Sequence, residues 1–263
     1  MAARGLVSVE KLFRVDGDVA LITGAGSGFG RIGAFALAEA GAAIAVTDID
    51  LESARKVATE IESAGGRAVA FRMDVADRKE VAEVVTEVAE MFGGIQILIN
   101  NAGTFARGPT ESLSDADWDR VIAVNMTSAF VCSREAGRHM LKAGKGRIIN
   151  IASIMGLVGG GMFPHLPYHA SKGALVNMTR ALAVEWAKKG VRVNAIAPTF
   201  FRTNFGAGLS SNNAMVKMIE DRTPMGRLGE PEELAGGILY LASEASSMVT
   251  GHTLAIDGGW TAW

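Results

Sequence analysis

The sequence predicts one α/β domain, a mainly parallel sheet with helices on both faces. Three observations carry this. Short apolar runs of strand length alternate with helix-length segments from end to end, as βαβ units require. Polar or glycine clusters at 24–30, 48, 74, 100–103, 153 and 198–203 each follow a predicted strand, so they converge along the strands' carboxyl edge, where such folds bind ligands. No linker, repeat or low-complexity tract divides the 263 residues, and 1–263 read as a single domain.

The elements follow in order. Residues 1–16 form a loose lead-in. Val19–Thr23 is apolar almost throughout and ends on glycine, the pattern of a strand buried on both faces. Gly24 to Gly30 opens an alanine-rich helix that runs to Ala40. Strand 43–47 ends in Asp48, and helix 51–64 has Asp50 as the better N-cap candidate. Strand 68–72 follows. In helix 78–92, Val81, Val84, Val85, Val88 and Phe92 share one face. Strand 95–99 runs into Asn100-Asn101-Ala102-Gly103. Ser114 is placed to cap a helix carrying Trp118, Val121 and Ile122. Strand 147–151 ends beside Ser153, and 168–188 is a long helix. Strand 191–196 is stopped by Pro198. Residues 199–226 have weak periodicity and read as a substrate-loop insertion. A helix enters through Pro231 and continues to Ser243, and Thr253–Ile256 is the last strand.

Composition excludes several classes of function. A formal net charge of −2 offers no attraction to nucleic acid or to an anionic membrane surface. No stretch reaches transmembrane length and the opening residues hold no signal-peptide block, so a cytoplasmic protein is expected. The single cysteine, Cys132, sits in an apolar run and reads as an inert core thiol. No His/Cys/Asp/Glu grouping has metal-site spacing, and no metal is expected.

Ser153 to Lys172 carries the chemistry. Tyr168 and Lys172 at i,i+4 share a helix face. A phenol is a poor proton acceptor near neutral pH at its ordinary pKa of about 10. A neighbouring ammonium favours the phenolate and is expected to lower that value. Ser153 can hydrogen-bond the oxygen of a substrate between them, so acid/base work at a carbinol or carbonyl carbon is the reading. The glycine turn after the first strand is built to hold phosphate at a helix N-terminus. Of two registers, Thr23-Gly24…Gly28-Phe29-Gly30 follows the strand directly, whereas Gly28-x-Gly30-x-x-Gly33 does not; in the first, Gly33 serves close helix packing. Asp48 stands where an acid accepts from a ribose 2′-hydroxyl and repels a 2′-phosphate, and Ser27 adds no positive charge, so NAD is favoured over NADP. Asp48 could instead cap a helix. Asp74 could cap the next helix or accept from an adenine amino group.

The chain resembles the short-chain dehydrogenase/reductase family from about residue 15 onward. The resemblance rests on T-G-A-G-S-G-F-G at 23–30, M-D-V at 73–75, N-N-A-G at 100–103, V-N-M-T at 124–127, I-A-S at 151–153, Y-H-A-S-K at 168–172 and R-V-N-A-I-A-P at 192–198. It implies a single-domain Rossmann fold with a seven-stranded, mostly parallel sheet. It implies a catalytic tetrad of Asn125, Ser153, Tyr168 and Lys172, with Tyr168 as general acid/base and Asn125 holding a relay water. A cofactor would lie against Gly24, Ser27, Gly28, Phe29, Gly30, Asp48, Ile49, Asp74, Val75, Asn101, Ala102, Gly103, Tyr168, Lys172, Pro198, Thr199, Phe201 and Thr203. The sequence departs from the family at Pro198-Thr199, where Pro-Gly is usual, which puts the local backbone path in question.

Substrate contacts are expected from Ser153, Met155, Phe163, His165 and Phe205, although His165 also reads simply as a loop residue. The closest likeness is to members acting on polyols, sugars and sugar acids, so an NAD-dependent oxidoreductase of carbohydrate metabolism is expected. A 3-oxoacyl-thioester reductase is the alternative, and a non-catalytic nucleotide-binding scaffold a remote one. The resemblance also implies a homotetramer, and Trp260 and Trp263 are expected to dock at a subunit interface.

Overall fold

Seven parallel strands in the order β3-β2-β1-β4-β5-β6-β7 form one sheet. The computed structural model describes residues 8–160, 162–203 and 212–262, so Phe205 and Trp263 lie outside the described residues. In chain order the elements are α1 Val9–Phe13, β1 Val19–Thr23, α2 Gly28–Glu39, β2 Ala43–Asp48, α3 Leu51–Ser63, β3 Arg67–Arg72, α4 Arg78–Phe92, β4 Ile97–Asn100, α5 Asp115–Ile122, α6 Ser128–Ala143, β5 Gly146–Ile151, α7 Leu166–Trp186, β6 Val191–Pro198, α8 Asn213–Arg222, α9 Ala235–Ala242 and β7 Thr253–Ile256. Every strand pair is parallel, including the two outermost, where a mixed edge was allowed for.

Alternation along β1 sorts the core into two layers. Ala20 and Ile22 face α2, α3 and α9, packing with Leu37, Ile61 and Ile238. Val19 and Leu21 face α4, α6 and α7, packing with Val85, Met140 and Trp186. All five residues of β1 are buried, as its unbroken apolar run predicts. Gly33 serves the role expected of it: a Cβ there would stand 3.3 Å from Ile238 and 3.4 Å from Ile99, so α2 lies close on α9 and the sheet.

Asp50, Asp77 and Ser114 cap α3, α4 and α5. The α4 cap is therefore Asp77; Asp74 instead accepts from the Ala76 amide at 2.9 Å. Two stretches read as irregular carry helices. The lead-in contains α1, started by Ser8. The 199–226 insertion contains α8, capped by Asn212 and buried through Ile219 against Ile154, Leu228 and Trp260. Ten residues carry too few apolar positions for periodicity to stand out, and tertiary burial decides the helix. Trp260 is also seated within its own chain, 5.3 Å from the Phe200 ring, so its burial needs no subunit interface.

Candidate active site

The strand order reverses between β1 and β4, and the crevice at their carboxyl ends opens the site. Thr23 and Asn101 stitch its floor. Thr23 Oγ1 accepts from the Asn101 and Ala102 amides, both at 3.0 Å. Asn101 Nδ2 donates to the Thr23 and Gly24 carbonyls, both at 2.9 Å. Gly30 lies beneath this stitching. A Cβ there would stand 2.4 Å from the Gly24 oxygen and 2.6 Å from Asn101 Nδ2, and the residue does not line the cavity. Gly30 thus supports the turn from below, off the cavity wall.

A cavity of about 660 Å³ runs from this turn across the sheet edge, within the range of small-molecule sites. Every other expected cofactor residue lies on its wall: Gly24, Ser27, Gly28, Phe29, Asp48, Ile49, Asp74, Val75, Asn101, Ala102, Gly103, Tyr168, Lys172, Pro198, Thr199, Phe201 and Thr203. Among expected substrate residues, Ser153, Met155, Phe163 and His165 line it as well.

The residues suit a dinucleotide. Gly28 has a φ of +52° with nothing near its missing Cβ, so the backbone leaves open space at the start of α2. The N-cap Ser27 makes no side-chain capping bond, leaving helix amide donors for a phosphate. Asp48 accepts from the Gly26 amide at 2.9 Å and the Asp50 amide at 3.0 Å. It braces the glycine turn rather than capping α3, and no lysine or arginine accompanies it on this part of the described wall. At the far end the Thr199 hydroxyl is buried with no protein partner. The Pro198-Thr199 departure leaves the backbone regular: β6 runs through Pro198, the Thr199 amide donates to the Ile256 carbonyl at 3.3 Å, and no described non-glycine residue has a positive φ.

Tyr168 and Lys172 stand one turn apart on α7, with Lys172 Nζ 5.6 Å from the Tyr168 ring centre. Lys172 is buried and donates to the Ile151 carbonyl at 2.6 Å. Burial pushes its ammonium down to about 8. Burial also raises the Tyr168 phenol above its usual value, against the lowering expected from the sequence; the Ser153 hydrogen bond works the other way but is the smaller effect. Desolvation opposes the phenolate more strongly here than the serine bond favours it. Ser153 Oγ also accepts from the Met155 amide at 3.1 Å.

Asn125 sits in a π-helical turn, Ala123–Thr127, between α5 and α6. Such turns concentrate at functional sites. Its side chain is committed to protein: Oδ1 accepts from the Thr104 amide at 2.7 Å, and Nδ2 donates to the Thr104 carbonyl and the Ser171 hydroxyl. It meets Lys172 across Gly103, whose missing Cβ lies 3.6 Å from Asn125 Oδ1 and 3.8 Å from Lys172 Nζ. The side chain therefore fixes the local geometry between Thr104 and Ser171.

The wall also includes Thr104, Phe105 and Arg107, which the sequence reading missed. Their one signal was position, just beyond a strand's carboxyl end. Cys132 is buried, and desolvation pushes its thiol up to about 12, consistent with an inert core residue. Among the described residues there is no metal-holding cluster, and no helix is long and apolar enough to cross a membrane.

Comparison with known proteins gives a consistent picture. A family model described as enoyl-(acyl carrier protein) reductase matches residues 24–261. Galactitol 2-dehydrogenase of Rhizobium johnstonii is 39% identical, covering 98% of this chain and 100% of its own. Cis-4-hydroxycyclohexanecarboxylate dehydrogenase of Sinomonas cyclohexanicum is 42% identical, covering 93% and 96%. The crystal structure of a gluconate 5-dehydrogenase from Burkholderia cenocepacia, in complex with NADP and tartrate, superimposes with a TM-score of 0.93 at 38% identity, covering 97% and 100%.

Proposed function

The chain belongs to the short-chain dehydrogenase/reductase family, and from that premise we propose that it interconverts a secondary alcohol and a ketone, with NAD(H), on a polyol, sugar acid or related hydroxy acid. The observation that carries this reading is one cavity with Asp48 and the glycine turn at one end and Ser153, Tyr168 and Lys172 at the other.

When bound at the glycine turn, a nicotinamide cofactor would supply the hydride chemistry. The protein handles the proton. In oxidation Tyr168 Oη takes the hydroxyl proton, and in reduction it returns one; such help is worth about 10²–10⁴-fold. Ser153 Oγ orients the substrate oxygen toward that phenol, with which it already shares a hydrogen bond. Lys172, held by the Ile151 carbonyl, places positive charge near the ring and favours the phenolate when ionised. Phe163, Phe200 and Phe201 on the cavity wall give the carbinol carbon a surface to be positioned against, and positioning supplies much of the remaining acceleration.

Asp48 carries the preference for NAD, since a 2′-phosphate would meet a carboxylate with no cation beside it on the described wall. The NADP-bound gluconate 5-dehydrogenase makes the comparison worth measuring. The same reading places the enzyme in the cytoplasm as a homotetramer. The exposed Phe130 on α6 and Val184 on α7 support paired helices at an interface.

Absorbance assays with NAD and NADP, against polyols, sugar acids and hydroxy acids, test the reading. Turnover with NAD is expected, and Asp48→Ser should narrow the gap between the two cofactors. Turnover only with NADPH and oxoacyl thioesters would replace it with the alternative named above.

A further inference from the structure

Arg107 has no place in the proton chemistry, yet it lines the same cavity as Tyr168 and Ser153. Its guanidinium lies 5.0 Å from the ring centres of both Phe105 and Phe163, which set its direction. Among the described residues it has no acidic partner, whereas thirteen other arginine and lysine residues are ion-paired. Its loop is fixed rather than free. The Gly108 amide donates to the Pro164 carbonyl at 2.9 Å, joining this loop to the segment before α7, and Arg120 Nη1 donates to Thr104 Oγ1 at 3.0 Å.

The wall between Arg107 and Tyr168 is mainly aromatic and aliphatic, and includes the His165 imidazole, whose Nδ1 is buried without a hydrogen-bond partner. Ring contacts run from Phe163 to His165 at 5.3 Å and from His165 to Tyr168 at 6.0 Å. Ile154, Met155 and Phe200 complete it. The only acids on the described lining, Asp48 and Asp74, stand at the glycine-turn end. A chain of substrate hydroxyls laid along these rings would find few partners, and each hydroxyl buried without one is costly. A guanidinium, by contrast, suits a carboxylate through two parallel hydrogen bonds.

We propose that Arg107 selects a substrate bearing a carboxylate, with a C–H-rich body, such as a ring, lying on the Phe105, Phe163 and Phe200 surfaces between that carboxylate and the carbinol at Tyr168. This rests on the reading of the cavity as an alcohol–ketone site and narrows it from polyols and sugar acids to hydroxy acids of apolar body. The imidazole of His165 fits the same reading. Burial, reinforced by the Arg107 charge, holds it down to about 4, so it stays neutral and leaves the guanidinium as the anion's partner.

The test compares 4-hydroxycyclohexanecarboxylate with its neutral methyl ester, D-gluconate and galactitol, using wild type and Arg107→Met. The wild type should prefer the ring acid to the other three. Arg107→Met should raise KM for the acid by about 10- to 100-fold while leaving the ester unchanged, as loss of one charged hydrogen-bonding partner implies. Arg107 is exposed, and thermal melting checks that the variant folds. Equal use of acid and ester, or equal loss of both in the variant, would overturn the role of Arg107. A higher kcat/KM for gluconate than for the ring acid would overturn the apolar body. Silence of the wild type toward every alcohol would instead overturn the alcohol–ketone reading on which the proposal stands.

Discussion

Tyr168 and Lys172 are a case in which spacing was legible and energetics were not. The Y-x-x-x-K interval places both on one helix face whatever surrounds them, so their proximity could be read directly. Their protonation depends on burial, which no local pattern reports, and burial moves the phenol up and the ammonium down. Tyr168→Phe should abolish turnover while cofactor affinity, read by fluorescence titration, stays near wild type; a rate within tenfold of wild type would remove Tyr168 from the chemistry. Lys172 allows a second test without substrate. Its folded value of about 8 lies below that of an exposed lysine, so below pH 8 the fold holds an ammonium it disfavours, and the cost disappears as pH rises toward 10.5. Stability relative to Lys172→Met should therefore increase through that window, by on the order of 3 kcal/mol. Urea denaturation at pH 7.5 and 10.5 measures it. Arg107 escaped the sequence reading because an Ala-Arg-Gly-Pro turn looks the same whether its arginine faces water or a ligand.

At the scale of elements, strands and long helices were legible because each presents an apolar run or stripe to one layer of the core. Boundaries moved by one or two residues at most strands. The helix α8 was not legible, since its seat against Trp260 is formed by residues distant in sequence. The turn between β1 and α2 shows how tightly two elements can depend on a third. Asn101, at the end of β4, holds the Gly24 carbonyl, and the absence of a Gly30 side chain makes room for that bond. Gly30→Ala should displace the turn, weaken cofactor binding and cost on the order of 1–3 kcal/mol of stability through overpacking. Calorimetric titration and thermal melting report the two effects. Unchanged affinity would mean that the turn tolerates the shift.

Across the whole molecule, the two edges of the sheet are specialised differently. The carboxyl edge carries the cavity. The amino edge is closed by a charge cluster in which the buried Asp18 bridges Lys145 and Arg147, and Arg147 reaches on to Glu244. These residues are spread over more than two hundred positions, and nothing local in the sequence announces their meeting. Asp18→Asn leaves Arg147 buried beside a neutral group, and breaking such a pair is strongly destabilising, here on the order of 3 kcal/mol. Because the cluster lies at the opposite edge from Tyr168, KM should stay unchanged while the denaturation midpoint falls. A changed KM with normal stability would point to coupling between the edges.

The seat of Trp260 also sets an order of events in time. The ring lies against Phe200, and Arg222 reaches from α8 over Trp260 to the Gly160 carbonyl, tying α8 and the segment before α7 to the last described helical turn. A chain emerging from the ribosome thus has its phosphate-holding turn, and the Asn101 that braces it, long before the substrate wall can close. Synthesis delivers the glycine turn and its Asn101 brace early, and the Trp260 that packs behind the Phe163 and Phe200 wall almost last.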